Sequence, residues 1–275
     1  MRLDRPVGTL LLLWPTLAAL VLAAEGLPSL ELIVVFSVGT LLMRSAGCVI
    51  NDYFDRNLDG HVRRTATRPL ATGELSGRQA LALFAILLIA AAVLLIFLNP
   101  FTQALAFGGV AIAAAYPLMK RLTYLPQVVL GAAFSWGMVM AFSAVQNQLP
   151  THAWLLFMGS VCWIVAYDTL YAMIDREDDL KVGIKSTAIL FGPFDRLMVG
   201  VLQGLAVLSF FLFGAQAELG WGYSAGVIGM AATFGYQQRL VRARAPDACM
   251  HAFKNNTWTG FCLLLGALLE LVVLA

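Results

Sequence analysis

Nine times along the chain an apolar run recurs that is long enough to cross a bilayer as a helix. The runs cover residues 6–24, 30–50, 79–98, 101–119, 125–145, 153–174, 197–217, 221–238 and 258–274. About 20 mainly apolar residues carry an α-helix through roughly 30 Å of hydrocarbon. The runs are apolar on all faces and too long for the alternating segments of an outer-membrane barrel. Within 275 residues they leave room for only 18 basic and 16 acidic side chains, 12% of the chain where soluble domains carry about 25%. That composition excludes a disordered chain, an ordinary water-soluble enzyme and a nucleic-acid-binding domain. The sequence therefore predicts an all-α, multi-pass transmembrane bundle of nine helices, a single domain over residues 1–275, with lipid as its surroundings. The first run follows Arg2 and Arg5 and ends in Ala23 and Ala24, flanks that a signal peptide shares. Its apolar stretch is longer than a signal core, so it reads as a retained helix.

Charge placement gives the bundle an orientation. Arg44 excepted, every lysine and arginine precedes the first run or follows an even-numbered one. They are Arg2 and Arg5; Arg56, Arg63, Arg64, Arg68 and Arg78; Lys120 and Arg121; Arg176, Lys181, Lys185 and Arg196; and Arg239, Arg242, Arg244 and Lys254. The opposite connections, around Glu25, Asn99, Gln146 to His152 and Glu218, carry none. By the positive-inside rule the N-terminus and the charged loops lie in the cytoplasm. Cys48, Cys162 and Cys262 fall in apolar runs and Cys249 in a basic loop, without C-x-x-C spacing, and read as small core residues.

The two longest charged loops share a pattern. Asp55-Arg56, Asp59, Val62 and Thr67 recur 120 residues later as Asp175-Arg176, Asp179, Val182 and Thr187. Each copy lies at the same end of a span, with four spans from one copy to the next. This predicts a duplicated bundle, with halves at about 1–120 and 121–240 and the ninth helix at 258–274. Both acidic clusters then face one central cavity, capped by the cytoplasmic loops.

Asn51, Asp55 and Asp59 recur at i, i+4 and i+8, so on a helix three oxygen-bearing side chains line one face. Asp175 and Asp179 repeat the i, i+4 spacing, with Asp178 close by, and Asp52 adjoins the first cluster. Like charges at that spacing repel and demand cations. All-oxygen donors, with no His or Cys at metal spacing, favour Mg²⁺, which keeps water and shares phosphate oxygens rather than entering a closed protein cage. Arg63, Arg64, Arg68, Lys120, Arg121, Lys181 and Lys185 supply the matching positive charge for a metal-bridged polyphosphate. One such loop could be a solvated face of paired charges, worth little; two in matching register point to a shared site.

Arg44 lies two turns before Asn51 and roughly 16 Å deeper than Asp55 along the same helix. A cation at that depth needs an anion or a wet cavity. It either pairs with Asp168, seven residues before Asp175 and the only acidic residue in mid-span, or awaits a substrate carboxylate. Tyr116, Phe134, Trp136, Tyr167 and Tyr171 sit near these faces as packing residues or, if they line the cavity, as rings that stabilise a carbocation. The segment GIKST at 183–187 lacks the second glycine and the preceding strand of a P-loop. Asp59-Gly60 followed by two arginines bears a trace of the CDP-alcohol phosphotransferase motif, but Arg56, Arg63, Gly77 and Leu81 stand at its required positions.

The run N-D-x-x-D-x-x-x-D at 51–59 and the pair D-x-x-x-D at 175–179 resemble the two aspartate motifs of the UbiA-type intramembrane aromatic prenyltransferases. Six further segments carry the resemblance: LLLLWPTL at 10–17, RSAGC at 44–48, DGHVRRTATRP at 59–69, YPLMKRLTYLP at 116–126, YDTLYAMIDREDD at 167–179 and GIKSTAILFG at 183–192. It covers nearly the whole chain and is most specific in the charged loops. The resemblance implies a nine-helix membrane enzyme that transfers a polyprenyl group from polyprenyl diphosphate to 4-hydroxybenzoate, at the ring carbon ortho to the hydroxyl. It also implies a place in ubiquinone biosynthesis and in the bacterial inner membrane. Asn51, Asp55, Asp59, Asp175 and Asp179 would hold Mg²⁺ and the diphosphate, with Arg64, Arg68 and Lys120 on the phosphates. Arg44, Asp168 and Tyr171 would form the acceptor pocket, and Asp175 and Arg44 would act in catalysis. No nucleic acid or obligatory protein partner is implied. A sister enzyme acting on a naphthoate, haem or chlorophyll precursor would keep both acidic clusters, whereas a cation-coupled transporter would use inverted repeats and mid-membrane carboxylates.

Overall fold

The computed structural model describes residues 1, 3–4, 6–57, 59–61 and 65–274. Among them no strand occurs. The helices are α1 (Val7–Ala24), α2 (Leu30–Asp55), α3 (Gly77–Leu94), α4 (Pro100–Leu122), α5 (Pro126–Gln146), α6 (Ala153–Val182), α7 (Thr187–Phe191), α8 (Asp195–Gln216), α9 (Trp221–Leu240) and α10 (Pro246–Leu268). All but the short α7 correspond to the nine predicted runs. Their starts follow local chemistry: Ser29 and Asn99 cap α2 and α4, and Ser76 forms a reciprocal capping box with Gln79 at α3. Pro100, Pro126 and Pro246 occupy first turns, where a missing N–H costs nothing.

Eight of the described helical segments are long and apolar enough to cross a membrane. Trp221–Leu240 has the length, but Gln237, Gln238 and Arg239 lower its hydropathy. The outer surface agrees: Ile86, Ile89, Ile96 and Phe107 are 62–76% exposed. Contiguous apolar surface of this kind is a liability in water and the expected coat in lipid. The core instead follows α6, where Trp163, Ile164, Ala166 and Leu170 are buried.

Three boundaries depart from the sequence reading. Both α2 and α6 run beyond their apolar stretches, to Asp55 and Val182, so Asn51 and Asp55 of the first acidic motif and all of the second ride on helix ends. The last helix begins at Pro246, twelve residues before the predicted 258. Its first turns are polar and read as loop, yet Asn255 and Asn256 find partners inside the bundle. Trp163 Nε1 donates to the buried Asn256 Oδ1 at 2.8 Å, and Gln237 donates to Asn255 at 3.0 Å. Around the bundle α1 packs on α2, α2 on α4, α4 on α5, α5 on α6, α6 on α8, α8 on α9 and α9 on α10. Contact of α10 with α1 closes the ring, and α3 packs against α2 with Leu88, Ala91 and Ala92 turned to the central cavity.

Candidate functional site

A cavity of about 1110 Å³ opens between the helices. Both acidic motifs line it: Asn51, Asp55 and Asp59 from the end of α2 and beyond, and Asp175 and Asp179 from α6. Arg68, Lys120, Lys185 and Lys254 join them, and deeper in are Arg44, Tyr116, Phe134, Trp136, Tyr167, Asp168 and Tyr171. Of the residues singled out as the site, Arg64 lies outside the described residues, as do Arg2, Arg5, Val62 and Arg63. The other residues assigned to the metal, the diphosphate and the acceptor all line this one cavity, whereas Asp52, Asp178, Arg121 and Lys181, named beside them, do not.

The first motif is not one continuous helical face. The helix ends at Asp55 and Asp59 sits in a separate 3-10 turn, Asp59–His61. Residues around Asn57 and Gly60 favour turns over helix, and the new conformation is fixed from downstream. Thr65 Oγ1 donates to the Asp59 carbonyl at 2.9 Å, and Arg68 Nη1 reaches both Asp59 carboxylate oxygens at 2.9 and 2.8 Å. The same guanidinium lies 3.0 Å from Asp52. Burial pushes the Asp59 carboxyl above its ordinary value and Arg68 opposes that rise. Lys120, in the last turn of α4, donates to Asn51 Oδ1 at 2.8 Å and Asp55 Oδ2 at 2.9 Å, while Arg121 turns to the Phe54 carbonyl.

The second motif is helical throughout. α6 stops at Gly183, whose left-handed φ of 75° lets its N–H return to the Asp179 carbonyl. Asp179 is therefore held in the final turn. Lys181 pairs instead with Asp178, is 66% exposed and does not line the cavity, so the sequence reading that grouped it with the anion site is corrected. Lys185 does line it, and its backbone N–H bonds to the Lys120 carbonyl at 2.9 Å, joining the segment after α6 to the end of α4.

Arg44 meets the thiol of Cys48 one turn on, and its guanidinium lies over Gly8 of α1. A methyl group at Gly8 would stand 2.6 Å from its Nε and 2.8 Å from its Cζ. Among the described residues Arg44 and Asp168 make no ion pair; both face the cavity, and the Arg44 Nε is buried without a hydrogen-bond partner. Gly8 and Cys48 carried no signal in the sequence beyond their types. Asp195 was also missed. It is wholly buried at the start of α8 and accepts from Arg176, the neighbour of Asp175, and from Arg244 at 2.7 Å.

Among the described residues no three carboxylate, imidazole or thiol side chains cluster tightly enough to cage a metal. The donors that face the cavity are oxygens in two groups. That set fits Mg²⁺, a hard ion that completes its shell with water and with phosphate oxygens from a substrate.

Helices suited to lipid and one cavity in which acidic motifs meet lysine and arginine define an integral membrane protein with a charged site inside its helical bundle. Residues 12–265 match the model of the UbiA prenyltransferase family, and the chain belongs to that family. It is an integral membrane protein. It is 57% identical to the 4-hydroxybenzoate octaprenyltransferase of Ectopseudomonas mendocina (strain ymp), with 98% of this chain and 91% of that protein covered. Against the 4-hydroxybenzoate octaprenyltransferase of Alcanivorax borkumensis the identity is 56%, covering 97% and 92%. Among solved structures, a UbiA homologue from Aeropyrum pernix K1 superposes with a TM-score of 0.83 at 24% identity, covering 97% of this chain and 98% of that one. A UbiA homologue from Archaeoglobus fulgidus bound to GPP and Mg²⁺ gives 0.71 at 19% identity, covering 96% and 98%.

Proposed function

We propose that this chain is a 4-hydroxybenzoate polyprenyltransferase, transferring the polyprenyl group of a polyprenyl diphosphate to the ring carbon ortho to the acceptor's hydroxyl. The observation that carries the reading is the single cavity shared by Asp55, Asp59, Asp175 and Asp179 with Lys120, Arg68 and Arg44. The names of the bacterial relatives support the acceptor, and the archaeal homologue bound to GPP and Mg²⁺ supports the donor and the ion.

Asn51, Asp55, Asp59, Asp175 and Asp179 would hold Mg²⁺, which when bound neutralises charge developing on the departing diphosphate. Lys120 and Arg68, together with Arg64, bind the phosphate oxygens and stabilise the same charge. The allylic carbon–oxygen bond breaks and the electron pair leaves with the diphosphate. Tyr116, Tyr167, Tyr171 and Trp136 present ring faces to the allylic cation, and the apolar walls keep water from capturing it. Arg44 pairs with the acceptor carboxylate and holds the ring in position. The ring carbon ortho to the hydroxyl bonds to the cation, and Asp175 takes the displaced ring proton, restoring aromaticity. By the positive-inside rule the basic loops support a cytoplasmic side for this site and for the N-terminus, in the inner membrane, and the paired motifs support a bundle duplicated at about residue 120.

Purified protein given labelled polyprenyl diphosphate, 4-hydroxybenzoate and Mg²⁺ should yield 3-polyprenyl-4-hydroxybenzoate. Absence of that product, with measurable solute flux in liposomes, would replace the enzyme by a transporter.

A further inference from the structure

Two residues of the cavity wall each carry a buried polar atom without a hydrogen-bond partner. The Tyr167 side chain is 2% exposed and its hydroxyl makes no hydrogen bond, and the Nε of Arg44 is likewise buried and unbonded. One comes from α6, the other from α2, and both residues line the cavity. The tyrosine ring has little freedom to seek a partner elsewhere. It packs edge-on against Trp163 and Phe253, each with ring centroids 5.8 Å away.

Orphaned buried donors are rare in folded proteins, because each forfeits its hydrogen bond to water without a replacement. Where two residues that carry such donors line one cavity from different helices, a ligand group that reaches both removes both penalties. Asp168, the adjacent residue, has a partner of its own. A carboxylate is the acceptor that fits: it offers about four lone-pair sites, and a guanidinium and a phenol O–H can donate to it together. We propose that the Tyr167 hydroxyl is a second donor to the carboxylate that Arg44 binds, so that the acceptor is clamped between α6 and α2 and rings lacking a carboxylate are selected against. This deepens the prenyltransferase reading and rests on it.

The test is Tyr167→Phe, which removes only the oxygen. The KM for 4-hydroxybenzoate should rise about tenfold, the scale of one hydrogen bond to a charged group, while the KM for polyprenyl diphosphate stays within about twofold. As competitive inhibitors, benzoate should weaken by the same factor and 4-methylphenol, which has the ring and hydroxyl but no carboxylate, should not change. The ligand-free variant should melt no lower than the parent, since the hydroxyl has no protein partner to lose. An unchanged KM for 4-hydroxybenzoate, equal weakening of both inhibitors, or a variant that melts lower or fails to fold would each overturn the clamp. Failure of the parent protein to prenylate 4-hydroxybenzoate would overturn the functional reading itself. A parent that prenylates beside an unaffected variant sinks only the clamp.

Discussion

The ammonium of Lys120 lies 2.9 Å from Asp55 Oδ2, tying the last turn of α4 to the last turn of α2. The lysine occupies the carboxylate that the proposed Mg²⁺ site needs, so the two cations compete for Asp55 until a diphosphate gives Lys120 phosphate oxygens to bind. Lys120→Met should therefore tighten Mg²⁺ binding to the substrate-free protein and raise the KM for polyprenyl diphosphate by about tenfold or more. Calorimetric titration of Mg²⁺ decides the first half; weaker Mg²⁺ binding in the variant would show that Lys120 organises the carboxylate rather than competing for it.

Asp55→Asn and Asp175→Asn test the two motifs separately. The amide fills the same volume, and at position 55 it keeps an oxygen for Lys120, so both variants should still fold. Turnover should drop by at least about 10²-fold in each, the usual loss when one group stabilising a transition-state charge is removed. Retained activity in either variant removes that motif from the site.

Gly8 gives access to Arg44 from the other side. An added methyl group would stand 2.6 Å from the guanidinium Nε, and because the clash is with the end of a flexible side chain, Gly8→Ala should displace Arg44 and leave the fold intact. A shift of about 1 Å in a positioning group can cost up to about 10²-fold in rate. We expect the KM for 4-hydroxybenzoate to rise and the diphosphate KM to hold in both Gly8→Ala and Arg44→Ala. If Arg44→Ala unfolds the protein, the arginine is a structural element and its substrate role falls.

Much of this was legible in the sequence because hydrocarbon is a demanding solvent. Apolar length sets the spans, and the few charges then have few places to be, so Asp55 and Asp175 could be brought to one cavity by register alone. What was hidden depends on satisfaction rather than on pattern. The polar start of α10 reads as loop until Asn256 is seen accepting from Trp163. The break after Asp55 is set by Thr65 and Arg68, residues further along the chain. Asp195 sits beside a run of turn residues and resembles any helix-start aspartate until its partners are known.

Those partners make Asp195 a positioning residue. Its carboxylate is fully buried and bound by Arg176 and Arg244, which ties the helix carrying Asp175 and Asp179 to the segment between α9 and α10. Removing one member of a buried pair costs about 3–5 kcal/mol, and since both arginines keep some exposure the loss here should be smaller, roughly 2 kcal/mol. Asp195→Asn should lower the melting temperature by about 5 °C and raise the Mg²⁺ concentration needed for half-maximal rate. A lowered melting temperature with unchanged Mg²⁺ dependence would leave Asp195 a staple with no bearing on the site.

Acidity should act through Asp59. Burial raises its carboxyl above the ordinary 3.8, with Arg68 pulling the other way. The fold thus favours the protonated form, so in the metal-free protein the Asp59 contribution to stability is present at low pH and is lost as pH rises through the raised value. A metal ion needs the carboxylate, so Mg²⁺ must displace that proton, and binding should weaken as pH falls through a window that starts above 3.8. Calorimetry in two buffers of different ionisation enthalpy should then record protons released on Mg²⁺ binding in mildly acidic solution, and fewer for Asp59→Asn. Equal proton release from parent and variant would mean that Asp59 is already ionised in the empty site, with Arg68 outweighing burial.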